Sequence, residues 1–204
     1  MGALPRWLQA GGASIHQCSN RNMAHSKLLL KPSSALGPFI ESFWWSNSVK
    51  GSISSREHVL PTGQMHLVFR LSGPPLRLFN SNDDLEGKTT LDPVVGGARS
   101  SFYAKEIGAS VVSIGAQLRP GAAQALFGVS AAELAERHTS LCDLWGTHGR
   151  SALDQICSVK GPLQQLTKLD SLLSARLRPA TGLHATVAHV VFHPTSRGVT
   201  YDDS

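Results

Sequence analysis

This chain has little cysteine, no long apolar run and no acidic residue near its start. The three cysteines, Cys18, Cys142 and Cys157, are an odd number without CxxC or zinc-like spacing, which excludes a disulfide framework and predicts reduced, unligated thiols. No stretch approaches the roughly 18 uninterrupted apolar residues of a membrane span. The first twenty residues, MGALPRWLQAGGASIHQCSN, lack the apolar core of a signal peptide, so a cytoplasmic location is expected. Catalytic signatures are missing as well. There is no Gly-x-Ser-x-Gly elbow, no P-loop, no dinucleotide fingerprint and no His-x-His pair. No catalytic residue and no cofactor are therefore expected, and the protein is not read as an enzyme. No acid precedes Glu41, while Arg6, Arg21, Lys27 and Lys31 do, which accounts for most of the +5 net charge. Four scattered charges read as solvated, and the Gly-, Ala- and Ser-rich residues 1–26, which hold Arg6 and Arg21, as a disordered tail, with Met23 as a second possible start.

The remaining residues carry periodic signals. With 204 residues, 41% of them hydrophobic, the chain has material for one large domain or a domain with an appendage. Val112, Ile114, Ala116 and Leu118 alternate with Ser113, Gly115, Gln117 and Arg119, the period of a strand with one buried face. Pro120 follows and suits the first turn of a helix. Upstream, Met65, Leu67, Phe69 and Leu71 alternate with His66, Val68 and Arg70 between breaks at Pro61-Thr62-Gly63 and Gly73-Pro74-Pro75. Phe39, Ile40, Phe43 and Trp44 have helix-like spacing over one short turn, with a strand following from Trp44. Gly96-Gly97 predicts an unusual backbone angle or close packing that a side chain would block. Six or seven short strands are expected between Trp44 and Leu118, with SNDDLEGKTTLD as a polar loop.

Beyond Pro120 the signals are helical. Ser130 and Glu133 form a capping box, with Val129 stapled to Leu134, so a helix should begin at Ala131. Residues 141–146 read as an apolar connector. A helix over 151–159 should place Leu153, Ile156 and Cys157 on one face. Gly161-Pro162 opens another helix with the stripe Leu163, Leu166, Leu169, Leu173 and Leu177, read as intramolecular packing in preference to a dimer seam, and Arg176 and Arg178 suit its C-terminus. The expected fold class is α+β: a β-barrel or sandwich over residues 27–119, then a small helical subdomain over 120–179.

Three segments together resemble the N-terminal sensory region of AraC/XylS-type bacterial transcription regulators. They contain Leu60-Pro61-Thr62-Gly63, Gly96-Gly97-Ala98-Arg99, Arg119-Pro120-Gly121, Leu126-Phe127-Gly128 and Leu141-Cys142-Asp143-Leu144-Trp145-Gly146, and the REHVLPTGQMHLVF segment looks like a hairpin. The resemblance spans about residues 28–178 and implies a cupin-like, effector-sensing and dimerising domain. Relatives of this type continue into paired helix-turn-helix units. Here residues 180–204 resemble only the first helix of that half, with Leu183, Val187, Val190 and Val191, which suggests a truncated regulator without sequence-specific DNA-binding residues. The partners so implied are an unidentified small-molecule effector and a second subunit, either another copy or a full-length regulator, with no membrane.

Two constellations are candidates for a site. Pro61-x-Gly63-x-x-His66 matches the second half-motif of metal-binding cupins, and a small metal-dependent enzyme is the alternative function. His58 is its only near neighbour, so a surface or hydrogen-bonded histidine is preferred and no metal is expected. The aromatic residues Phe43, Trp44, Trp45, Phe69, Phe79, Phe102 and Tyr103 could line a small-ligand pocket or simply fill the core. The ligand-binding set expected from these considerations is Trp44, Arg99, Phe102 and Gln117, with Arg99 and Gln117 as polar anchors.

Overall fold

The computed structural model describes residues 25–48, 55–107 and 110–178. The expected N-terminal tail and the helix-turn-helix remnant lie outside these residues, apart from His25 and Ser26, which already belong to the first strand. Among the described residues there are ten strands: β1 His25–Leu30, β2 Ile40–Ser48, β3 Ser55–Val59, β4 Met65–Ser72, β5 Leu76–Phe79, β6 Lys88–Thr90, β7 Val94–Gly96, β8 Tyr103–Ile107, β9 Val111–Leu118 and β10 His138–Ser140. They form two antiparallel sheets in the orders β1-β2-β9-β4-β7-β10 and β3-β8-β5-β6. No described strand bridges the two sheets, so of barrel and sandwich the sandwich is observed, in the α+β class.

Six of the nine connections between successive described strands pass from one sheet to the other. β3 pairs with β8, while β4 pairs with β7 and β9, so the Leu-Pro-x-Gly segment is an inter-sheet crossing and not the expected hairpin turn. The same holds at Gly73-Pro74-Pro75, which passes from β4 in one sheet to β5 in the other. Phe39 to Trp44 also departs from expectation. The strand already begins at Ile40, because Ile40 and Phe43 are buried against β9 partners Leu118 and Ala116, and that pairing outweighs local helical spacing. Likewise Lys88–Thr90, read as loop, gains strand geometry only by pairing with β5.

Each strand of the larger sheet has two unlike faces. Ile114, Ala116 and Leu118 of β9 and Met65, Leu67 and Phe69 of β4 are buried in one apolar cluster with Phe43, Trp145, Ile156, Leu166, Leu169 and Leu173. The last five come from helices that cover this face, α2 Leu141–Trp145, α3 Thr147–Cys157 and α4 Pro162–Ser174, and Leu134 of the short α1 Ala131–Leu134 joins the same cluster. The leucine stripe therefore packs internally, with Leu166, Leu169 and Leu173 inaccessible and Leu163 left exposed. The capping box forms as read: Ser130 Oγ accepts from the Glu133 amide at 3.3 Å, and Glu133 Oε1 accepts from the Ser130 amide at 3.0 Å. The connector at 141–145 is itself helical, and the Trp145 indole donates to the Leu126 carbonyl at 3.1 Å. After Pro120 the chain makes a π-helical turn, Ala123–Phe127, closed by Gly128 at φ 75°. The segment after Pro120 is not purely helical, since β10 returns to the sheet beside β7. Arg176 lies past the end of α4, its guanidinium 5.0 Å above the Trp145 ring.

Candidate functional site

The other face of the larger sheet looks across to the smaller one, and a cavity of about 640 Å³ lies between them. Alternation decides what points in. From β9 come Ser113 and Gln117, from β4 His66, Val68 and Arg70, from β2 Trp44 and Ser46, and from β10 His138. The smaller sheet contributes Glu57, Leu78, Tyr103 and Lys105 among others. The face of β4 and β9 that carries polar residues is thus turned toward an internal space.

Two glycines shape the floor of this space. Across the sheet, Gln117 pairs with His66, His66 with Gly96, and Gly96 with His138. A Cβ on Gly96 would overlap the His66 ring, whose Nδ1 would lie at 2.9 Å. That missing side chain lets the His66 and His138 rings approach to 5.9 Å between centroids although a strand separates them. Gly115, paired with Trp44, does the same for the indole, since a Cβ there would lie 2.5 Å from Trp44 Cζ2. Close packing, not backbone angle, is also the role of Gly97, whose added Cβ would overlap the Leu134 carbonyl.

The electrostatics of the cavity lean positive. Burial pushes His66 down to about 4, with Lys105 adding to the effect. Burial likewise takes His138 to about 3, helped by His66, Arg99 and Lys88, so both rings are neutral at pH 7. His138 stands edge-on to the Tyr103 ring at 4.5 Å, and its Nε2 is buried without a hydrogen-bond partner. Burial raises the Tyr103 hydroxyl above its ordinary value. Lys105 is matched by Glu57 at 3.6 Å. Arg70 donates through Nη1 to the Pro74 carbonyl at 2.6 Å, while its Nε is buried without a partner.

Arg99 is the least compensated of these groups. Its side chain is 7% exposed, and neither Nε nor Nη1 has a hydrogen-bond partner. The nearest carboxylate, Glu136, lies 3.9 Å from Nε and is 48% exposed. Its oxygens are already engaged by the Ser100 amide and hydroxyl, at 2.6 and 2.8 Å, and by the Ser101 hydroxyl at 3.4 Å. Glu136 is the one non-glycine among the described residues with positive φ, 59°, held there as its amide donates to the Ala98 carbonyl at 3.0 Å. The guanidinium sits 5.3 Å from the centroid of Tyr103.

Of the four residues expected to bind a ligand, Trp44, Arg99 and Gln117 line this one cavity, and Gln117 is oriented by donating to the Met65 carbonyl at 3.0 Å. Phe102 is not among the lining residues; it packs edge-on against His58 at 5.1 Å. Of the wider aromatic set, Trp44 and Tyr103 face the cavity. Phe43 and Phe69 belong to the helix-covered core, and Phe79 is capped by Arg56 at 3.6 Å. Trp45, one residue from Trp44, points the opposite way and donates to Gln165 of α4 at 3.0 Å. His66 faces the cavity and not the surface, because the polar face of β4 is enclosed by the second sheet. Among the described residues no three His, Cys, Asp or Glu side chains gather as metal ligands. Two imidazoles flanked by Arg99 and Lys105 present a poor field for a cation. His138 and Arg70 were not singled out as site residues by sequence, and Tyr103 entered only as one of the wider aromatic set. Alternation along β4 places Arg70 beside His66, but nothing local marks His138, which reaches the site only through the pairing of β10 with β7.

The model of a family described as a domain of unknown function (DUF6597) matches residues 29–140, more than half of the chain. The matched segment contains every cavity residue named above. No curated protein matches the chain. No described helix is long and apolar enough to cross a membrane.

Proposed function

The chain belongs to the family described as a domain of unknown function (DUF6597), and from the geometry of its cavity we propose that it is a small-molecule receptor, the effector-sensing part of a regulator of the AraC type that its sequence resembles. The observation that carries this reading is the inter-sheet cavity. Its volume, about 640 Å³, is that of a site for a small organic molecule, and its lining combines apolar walls (Val68, Leu78, Val94) with many polar and charged side chains.

The route from site to output is short. Trp44 faces the cavity and Trp45 the helices, where its indole is bonded to Gln165 of α4. A ligand that moves the Trp44 indole off Gly115 shifts β2, and with it the seat of α4. Such a ligand biases the position of the helical layer to the extent that it prefers one arrangement over the other. In a regulator, that layer is the part joined to the output domain.

The test is a thermal-shift screen of a broad fragment library at millimolar concentration. At about 100 times its dissociation constant a genuine ligand stabilises the chain by about 2.7 kcal/mol, and Trp44→Ala is expected to weaken that response. Absence of saturable stabilisation from every fragment, neutral or charged, overturns the receptor reading.

A further inference from the structure

Resting on the receptor reading, we propose that the cavity is built for a small organic carboxylate, its head seated on the Arg99 guanidinium and the Nε2 edge of His138 and its apolar body lying toward Trp44 and Val68. The argument starts from the cost of leaving Arg99 as it is. A guanidinium with 7% exposure and unpartnered Nε and Nη1 atoms is a destabilising arrangement unless something supplies the missing acceptor. Glu136 does not supply it, since its oxygens are committed to Ser100 and Ser101 and it lies at 3.9 Å, outside hydrogen-bond range. Arg99 is a cavity-lining residue, so its guanidinium borders the volume in which a ligand would sit.

A second, independent feature points to the same place. His138 Nε2 is buried without a partner beside the same cavity. With the neutral imidazole taken in its Nε2–H tautomer, that nitrogen is a donor like the guanidinium, and neither has a partner at these atoms. Two buried donors without partners on one cavity describe a seat for an anion. The planar fork of Arg99 matches the planar, bidentate head of a carboxylate. Val68, Val94 and Leu78 on the walls leave the remaining volume to an apolar body. Lys105, paired with Glu57, and Arg70, anchored through Nη1 to the Pro74 carbonyl with its Nε unpartnered, add positive field to the same cavity.

The experiment compares isosteric pairs on the full chain at pH 7.5: benzoate with benzamide and hexanoate with hexanamide, plus inorganic phosphate, by calorimetry and thermal shift. The carboxylates are expected to bind at least about tenfold more tightly than their amides. Arg99→Met should abolish that preference while raising the melting midpoint of the unliganded chain, because an unpaired buried charge is replaced by an apolar side chain of similar length. A merely structural arginine would lower the midpoint. If Arg99→Met does not fold, His138→Phe is the second variant, expected to weaken the carboxylates and leave the amides unchanged. Amides binding as tightly as carboxylates, carboxylates indifferent to both variants, or phosphate binding in their stead, each overturns the carboxylate seat and leaves the receptor reading standing. No saturable binding by any of the five probes overturns this proposal, and the receptor reading falls only if the wider library is silent too.

Discussion

Adjacent glycines at the edge of the cavity offer a sharp test of the packing argument, since a methyl added to each meets a different kind of obstacle. At Gly97 it would overlap the Leu134 carbonyl oxygen, with the carbonyl carbon at 2.5 Å and the Ala135 nitrogen at 3.1 Å. Ordinary carbon contacts lie at about 3.5 Å or more, so backbone must move by about 1 Å. That movement strains the two bonds that continue the β7–β10 pairing beyond Gly96 and His138, Gly97 amide to Arg137 carbonyl and Glu136 amide to Ala98 carbonyl, both 3.0 Å. Overpacking of about 1–3 kcal/mol plus about 1 kcal/mol for each hydrogen bond lost gives about 3–5 kcal/mol for Gly97→Ala. At Gly96 the obstacle is the His66 ring, which can swing into the cavity at a rotamer cost of about 0.5–1.5 kcal/mol. Urea unfolding followed by tryptophan fluorescence, with unchanged m-values, gives both numbers. Gly97→Ala should be the more damaging by about 2 kcal/mol, and Gly96→Ala should instead weaken ligand binding, as the ring now occupies the pocket. Equal losses at the two positions, or a loss below about 1 kcal/mol at Gly97, would refute the distinction between yielding side chain and unyielding backbone.

Acidification should expose the two histidines. Their folded pKa values, about 4 for His66 and about 3 for His138, lie below the ordinary 6.5, so the unfolded chain takes up protons first as the pH falls. Stability is therefore full above about 6.5 and lost on the way down, by up to about 2 kcal/mol per ring at pH 5. Replacing both rings by glutamine should flatten urea midpoints between pH 7 and pH 5, and parallel losses in the two proteins would contradict the assignment. Ser130→Ala removes the acceptor for the Glu133 amide and should cost about 1 kcal/mol, while the backbone bond from residue 130 to the Glu133 carboxyl remains, so by NMR titration the Glu133 pKa should rise only part of the way to its ordinary value. Trp45→Phe deletes the indole bond to Gln165 and should cost about 1 kcal/mol, with faster amide exchange in α4 as the sign that sheet and helix have been uncoupled. Unchanged exchange there would remove the proposed route from cavity to helices.

Much of the scaffold was legible because local rules governed it. The ribbons Met65–Ser72 and Val111–Leu118, the capping box at Ser130, the breaks at Pro61–Gly63 and Gly73–Pro75 and the leucine stripe of α4 all sit where alternation, capping and turn chemistry place them. Three of the four expected ligand-binding residues share one cavity for a related reason: Trp44 and Gln117 lie on the cavity faces of β2 and β9, while Arg99 follows the Gly-Gly pair that ends β7. Phe102 does not, because it lies at the start of β8, one residue before the inward-facing Tyr103, and a shift of one position in a strand reverses the face.

A period of two in the sequence determined that each ribbon has an apolar and a polar side, and it settled which residues share a side. Which side would meet solvent was undetermined, because that depends on what is placed opposite. Only the tertiary structure decided that the second sheet closes over His66 and Arg70, that β10 returns to set His138 near His66 across Gly96, and that Arg99 is enclosed without an acceptor. These are consequences of strand pairings between residues far apart in the chain, where no local propensity operates, and the site exists only through them.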